Sequence, residues 1–172
     1  MSIPEQVIMT ARLMKITPHW KEIMNVLGPD TFLCGGLVLQ TILGETWDSD
    51  IDIFTTNRDL TQFDFGTWTS VEKESAYTII PGVIKVYSGC VTSNDQNSDQ
   101  KIDIIQMTSL EEAFSGFDFD FCKVWFDGYH FHIKHPEAVL SKTCTINNDL
   151  VTLRKADVRI PKYESRGFTI NR

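Results

Sequence analysis

The stretch "CGGLVLQTILGETWDSDIDIF", residues 34–54, decides how this chain is read. Gly35-Gly36 stand between a short apolar segment, "TFLC", and a second one that stops at Gly44. Asp48, Asp50 and Asp52 then follow at alternating positions. Side chains alternate faces along a strand, so these aspartates would share one face while Ile51, Ile53 and Phe54 feed a core. Carboxylates gathered within a few Å repel one another strongly. A divalent cation removes that penalty, and hard oxygen donors select Mg²⁺ or Mn²⁺. Two such ions about 3.5–4 Å apart can activate an attacking hydroxyl and hold a leaving phosphate.

Two further features extend the pattern. Asp103, in "KIDIIQM", has the same signature of an acid flanked by isoleucines, Ile102 and Ile104. If its strand pairs with that of Asp50 and Asp52, the acids converge. Gly35 and Gly36, at a strand-to-helix turn, let backbone approach a ligand closely, and the amides that follow face an anion. A phosphate-cradling turn followed by metal-binding acids is the apparatus that phosphoryl or nucleotidyl transfer needs. Each part alone is commonplace, since a lone D-x-D is usually a solvated edge and a lone Gly-Gly usually a turn. The joint order is specific. A calcium-binding EF-hand loop fails, because Ile53 stands where that loop needs glycine and Asp59 where it needs glutamate. Of the three alternating aspartates, Asp50 and Asp52 have apolar neighbours, whereas Asp48 follows Trp47 outside the apolar run and reads as a solvated rim acid.

This segment resembles the DNA polymerase β-like nucleotidyltransferase superfamily, and within it the head domain of CCA-adding enzymes and bacterial poly(A) polymerases. Their pattern runs G-G-x-V-R-D-x-L-L-G and then D-x-D. Gly35, Gly36, Val38, Leu43, Gly44, Asp50 and Asp52 match it. Leu39-Gln40 replace the Arg-Asp pair, and one extra residue precedes the acids. The tail "KYESRGFTI" also resembles the tails of stand-alone viral nucleotidyltransferase-like proteins. The resemblance implies an α+β (α/β) fold, a palm-like mixed sheet flanked by helices. It also implies a metal-dependent transfer of a nucleoside monophosphate from a nucleoside triphosphate, such as ATP, to a hydroxyl. The acceptor would be an RNA 3′ end, a small molecule or a protein side chain. Asp50 and Asp52 would bind the metals and Asp103 would help activate the acceptor, while Gly35 and Gly36 would hold the triphosphate. Arg154 and Lys155 are added as nucleotide-binding candidates from the basic C-terminal segment. The alternative is a degenerate member kept as a binding or regulatory protein.

Working outward, the 172 residues read as a catalytic unit over 1–135 and a basic helical segment over 136–172 packed on it. Residues 1–140 hold 9 Lys/Arg against 20 Asp/Glu, and residues 141–172 hold 7 against 3. The acidic body is a poor duplex-DNA surface, while Arg154, Lys155, Arg159, Lys162 and Arg166 could meet triphosphate or acceptor RNA. No apolar run approaches the ~20 residues that span a bilayer, and the N-terminus does not read as a secretory signal. Cys34, Cys90, Cys122 and Cys144 are widely spaced, which suits reduced thiols in a reducing compartment, the cytoplasm or a host's cytoplasm. Pro4 opens a first helix and "HWKEIMNVL" forms a second. "GVIKVYSGCV" and "KIDIIQM" read as strands, and "SLEEAF" as a capped helix. Asp127-Gly128 predict a two-residue hairpin turn. Pro136 to Tyr163 reads as two helices broken near Asn147-Asn148-Asp149 and at Pro161. In "FDFDF", Asp118 reads as a turn or cap residue and Asp120 as outward-facing. His130, His132 and His135 read as exposed strand histidines, and Trp47, Trp68 and Trp125 as core or rim packing.

Overall fold

The computed structural model describes residues 1–17, 20–60, 69–72, 80–92, 99–146 and 156–172. In chain order its elements are α1 (Ile3–Ile16), α2 (Trp20–Leu27), β1 (Thr31–Cys34), α3 (Gly36–Leu43), β2 (Ile51–Thr55) and β3 (Thr69–Glu72). There follow β4 (Val83–Thr92), β5 (Asp99–Met107), α4 (Leu110–Ser115), a 3₁₀ turn (Asp120–Cys122), β6 (Val124–Phe126) and β7 (Phe131–Ile133). The chain ends in α5 (Pro136–Ser141), β8 (Thr143–Thr145), α6 (Ala156–Ser165) and β9 (Thr169–Asn171).

Local chemistry sets several of these boundaries. Ser2 caps α1 in a reciprocal box with Glu5, whose amide donates to Ser2 Oγ (3.3 Å) while Ser2 N–H donates to Glu5 Oε2 (2.7 Å). α3 ends at Gly44, in the left-handed conformation (φ +70°). α4 opens at Ser109, whose hydroxyl accepts from Glu112 N–H.

Seven strands form one mixed sheet in the order β3-β4-β5-β2-β1-β6-β7. β2 and β5 run parallel, and the other neighbours pair antiparallel. The register produces one row across the sheet: Ser88 beside Asp103, Asp103 beside Asp52, Asp52 beside Cys34, Cys34 beside Trp125 and Trp125 beside His132. Residues in register point to the same face, so these six side chains line up. Apolar residues cover both faces. Trp20 of α2 meets Phe126 edge-on (4.9 Å between centroids), while Phe117 packs on Phe54 and Phe114 on Trp125. Each ring removed from water contributes roughly 1.5–3 kcal/mol.

The C-terminal third departs from the sequence reading. β8 and β9 form a separate parallel pair, where the sequence predicts helix around residues 143–145. Three-residue strands are too short for periodicity to reveal them. The break expected near Asn147-Asn148-Asp149 lies outside the described residues. Pro161 lies inside α6 rather than breaking it. The carbonyl it leaves without a helical partner is that of Asp157, on an exposed first turn that water reaches. The hairpin turn is centred on Gly128-Tyr129, one residue later than the expected Asp127-Gly128: Asp127 N–H donates to the His130 carbonyl (3.1 Å), and the Asp127 carboxylate accepts from Tyr129 N–H (2.8 Å) and His130 N–H (2.7 Å). Gly128 supplies the positive dihedral there (φ +101°).

Candidate functional site

Asp52 and Asp103 stand side by side on the parallel β2–β5 pair. Neighbouring strands lie roughly 4.8 Å apart, so their carboxyl groups are within reach of a shared ligand. Asp103 is 6% exposed, and Ser88 Oγ donates a hydrogen bond to its Oδ1. Asp50 precedes β2 on the rim, where its Oδ2 pairs with Lys101 Nζ at 3.2 Å. Two acids are thus brought together, and the third is held one step outward by a lysine whose role the sequence does not signal. Among the described residues no group of three or more His, Cys, Asp or Glu side chains is set to hold a metal ion. The donor chemistry of Asp52 and Asp103 nevertheless fits a hard divalent cation: two carboxylates in register on one sheet face, one of them buried.

Gly35 follows Cys34 directly, so the strand-to-helix turn begins beside Asp52. Its dihedrals, φ +79° and ψ −149°, belong to a region that only glycine enters readily. Burial pushes the Cys34 thiol well up, and the neighbouring Asp52 charge adds to the effect. Gly36 opens α3 under close cover. A Cβ at that position would lie 3.3 Å from Ser49 Oγ, 3.3 Å from the Tyr163 hydroxyl and 3.8 Å from Arg166 Nη1. The last two belong to the C-terminal segment, which therefore reaches the glycine turn.

That segment is fixed by a contact the sequence does not disclose. Asp118, expected as a turn residue, has a fully buried carboxylate that accepts two hydrogen bonds from Arg159, both 2.9 Å. The Arg159 guanidinium lies over Phe119 (5.3 Å) and Tyr163 (5.9 Å). Asp120 is partly exposed, close to Lys123 (3.1 Å) and His135 (3.6 Å). His132 stacks on Trp125 and bonds to Asp127, a packing arrangement away from the acid pair. Arg154 and Lys155 lie outside the described residues, as does Trp68.

Three solved structures of CCA-adding enzymes share this fold. The Thermotoga maritima enzyme complexed with tRNA superposes with a TM-score of 0.60 at 17% identity, over 95% of this chain and 42% of that one. A CCA-adding enzyme complexed with CTP gives 0.57 at 17% identity, over 94% of this chain and 41% of that one. An apo form gives 0.56 at 18% identity, over 94% and 38%. The chain therefore shares its fold with part of these CCA-adding enzymes, and it spans about two-fifths of their length. No protein-family model and no curated protein matches the sequence. Among the described residues no helix is long and apolar enough to cross a membrane.

Proposed function

We propose that the protein is a nucleotidyltransferase that moves a nucleoside monophosphate from a nucleoside triphosphate to a hydroxyl acceptor. The observation that carries this reading is the register of β2 on β5, which sets Asp52 beside Asp103 next to the Gly35-Gly36 turn. Asp52, Asp103 and, once released from Lys101, Asp50 would hold Mg²⁺ or Mn²⁺. Bound there, the metal would supply charge neutralisation for the triphosphate and acidify the acceptor hydroxyl. Gly35 and the first amides of α3 bind and orient the phosphates. Asp103, held by Ser88, takes the acceptor proton. The acceptor oxygen forms a bond to the α-phosphorus, the bond from that phosphorus to the bridging oxygen breaks, and pyrophosphate leaves with the electron pair. The CCA-adding structures, one bound to CTP and one to tRNA, support nucleotide and RNA 3′ ends as the first substrates to try.

A second reading, a nucleotide-binding protein without transfer activity, is favoured by one observation: Asp50 is occupied by Lys101. A single assay separates the two. Each α-labelled nucleoside triphosphate is incubated with the protein, Mg²⁺ and total RNA, with the Asp52→Asn/Asp103→Asn double variant in parallel. Transfer of label by the wild type and its loss in the variant is expected. Equal labelling by both, or none by either while nucleotide still binds, would sink the catalytic reading and leave the binding one.

A further inference from the structure

The C-terminal helix carries charge toward the acid pair in a way the proposed chemistry does not yet use. Arg166 is anchored on three sides. Its Nη2 donates to the carbonyl of Asp48 (3.3 Å), its guanidinium lies 4.6 Å from the Trp47 ring, and Tyr163 packs at 5.2 Å. Its other terminal nitrogen, Nη1, is buried and has no hydrogen-bond partner among the described residues. Ser49 Oγ is buried and unpartnered in the same way, and both atoms lie near Gly36, Ser49 Oγ within 3.3 Å and Nη1 within 3.8 Å of where its Cβ would be. A buried guanidinium nitrogen without an acceptor is costly, and a hydroxyl beside it makes two donors that lack an anion. Lys162, in the last turn of α6, stands four residues before Arg166, which lies in the turn just after that helix. Lys162 is exposed overall; partial desolvation and then the Arg166 and Arg159 charges lower its pKa, and the Asp50 and Asp52 charges oppose that.

We propose that α6 and the turn that follows it supply the cationic wall of the nucleotide site, with Arg166, Ser49 and Lys162 receiving the β- and γ-phosphates of a nucleoside triphosphate at the N-terminus of α3. This inference rests on the nucleotidyltransferase reading and adds to it the residues that hold the leaving pyrophosphate. The wall comes from the far end of the chain, latched by the Asp118–Arg159 pair two turns before Arg166. The acids bind the α-phosphate side and the acceptor, and the basic helix takes the opposite end of the same ligand. Charge complementarity favours this ligand over an RNA backbone, because the two orphan donors are buried beside the glycine turn and not spread along a surface groove.

The test is calorimetric titration of the full chain with inorganic tripolyphosphate in Mg²⁺, a probe that has no base or ribose. Arg166→Ala and Lys162→Ala are each expected to weaken binding by about 10- to 100-fold, the worth of a charge-assisted contact. Arg166→Lys should recover part of the loss. Ser49→Ala should weaken binding several-fold while leaving the melting temperature unchanged or raised, since it deletes a buried unpartnered hydroxyl. Lys21→Ala, at an exposed position of α2, should change nothing. Should Arg166→Ala melt early, Lys162→Ala carries the test by the same criterion. Wild-type affinity in Lys162→Ala and in a folded Arg166→Ala overturns the proposal. So does a loss confined to RNA oligonucleotide binding. If these variants lose tripolyphosphate binding but the wild type transfers no label, the phosphate wall stands and the transferase reading falls. Full label transfer with an unchanged KM for nucleotide in both variants removes the wall and leaves the transferase reading in place.

Discussion

Asp52, Asp103 and Gly35 are legible in the sequence because their immediate neighbours mark them. Each acid has isoleucine on both sides, and a carboxylate in an apolar strand is costly unless something pairs with it. Gly35 precedes a helix at a point where the chain must reverse direction. Gly35→Ala is therefore expected to cost about 1–3 kcal/mol through its backbone alone, visible as a lower urea midpoint. Cys34 offers a separate check on the local field. Because burial and then Asp52 hold its thiol well up, peptide mapping after iodoacetamide treatment at about pH 8 should find Cys34 unmodified in the native protein and modified after denaturation. Native-state labelling of Cys34 would contradict its placement beside the acids. Ser49 and Lys101 carry no such signature, and Arg166 is marked only as one of five basic residues in the C-terminal segment. Serine, lysine and arginine in polar stretches are ordinary surface residues, and only the folded chain sets Lys101 against Asp50 or Arg166 against Gly36.

Among the elements, those with strong local signals form where the sequence places them. α1 has its cap, α3 its glycines, and β4 and β5 their long apolar runs. The departures cluster where tertiary contact overrides local pattern. Asp118 looks like a turn residue because aspartate usually is one, yet Arg159, 41 residues on, draws it into the core. Cutting that pair tests its weight. Asp118→Ala strands a guanidinium among Phe119 and Tyr163 and should destabilise by about 3–5 kcal/mol, whereas Asp118→Leu with Arg159→Met should recover much of the loss. A denaturation series over the two single variants and the double one measures this directly. The β6–β7 hairpin responds to acid. Burial alone would raise the Asp127 carboxyl, but hydrogen bonds from His132, His130 and Tyr129 outweigh it and hold the pKa below the usual value. Its contribution is therefore complete above about pH 4 and fades as pH falls through the depressed value. Amide exchange at His130 should quicken, relative to strands of the sheet centre, over that acid window.

On the scale of the whole molecule, residues 156–172 are structural as well as candidate ligand-bearing. Tyr163 and Phe168 are buried against Phe119 and Phe121, with ring centroids 4.2–5.7 Å apart. Truncation after residue 155 should expose those rings and lower the melting temperature sharply, read by circular dichroism and dye binding. Alkaline stability has a direction as well. Burial pushes Cys144 up to about 12 and raises Cys34 and Tyr163 well above their ordinary values. All three favour the protonated, folded form, so the unfolded chain loses protons first and stability falls as pH rises from about 9 toward 12. The urea midpoint should drop across that interval, and a flat profile would contradict the burial of these groups.

The parallel pairing of β2 with β5 has a consequence for descent. Asp52 and Asp103 are fixed by lateral strand register, while β3 and β4, which fall between them in sequence, lie outside β5 in the sheet order. The number of residues between the two acids is therefore not set by their register, so long as β4 still brings Ser88 to Asp103. A sequence search that demands a set gap between the second and third carboxylates will overlook kin of this protein, whereas one that fixes only the isoleucine-flanked acids and lets the gap float stands to find them.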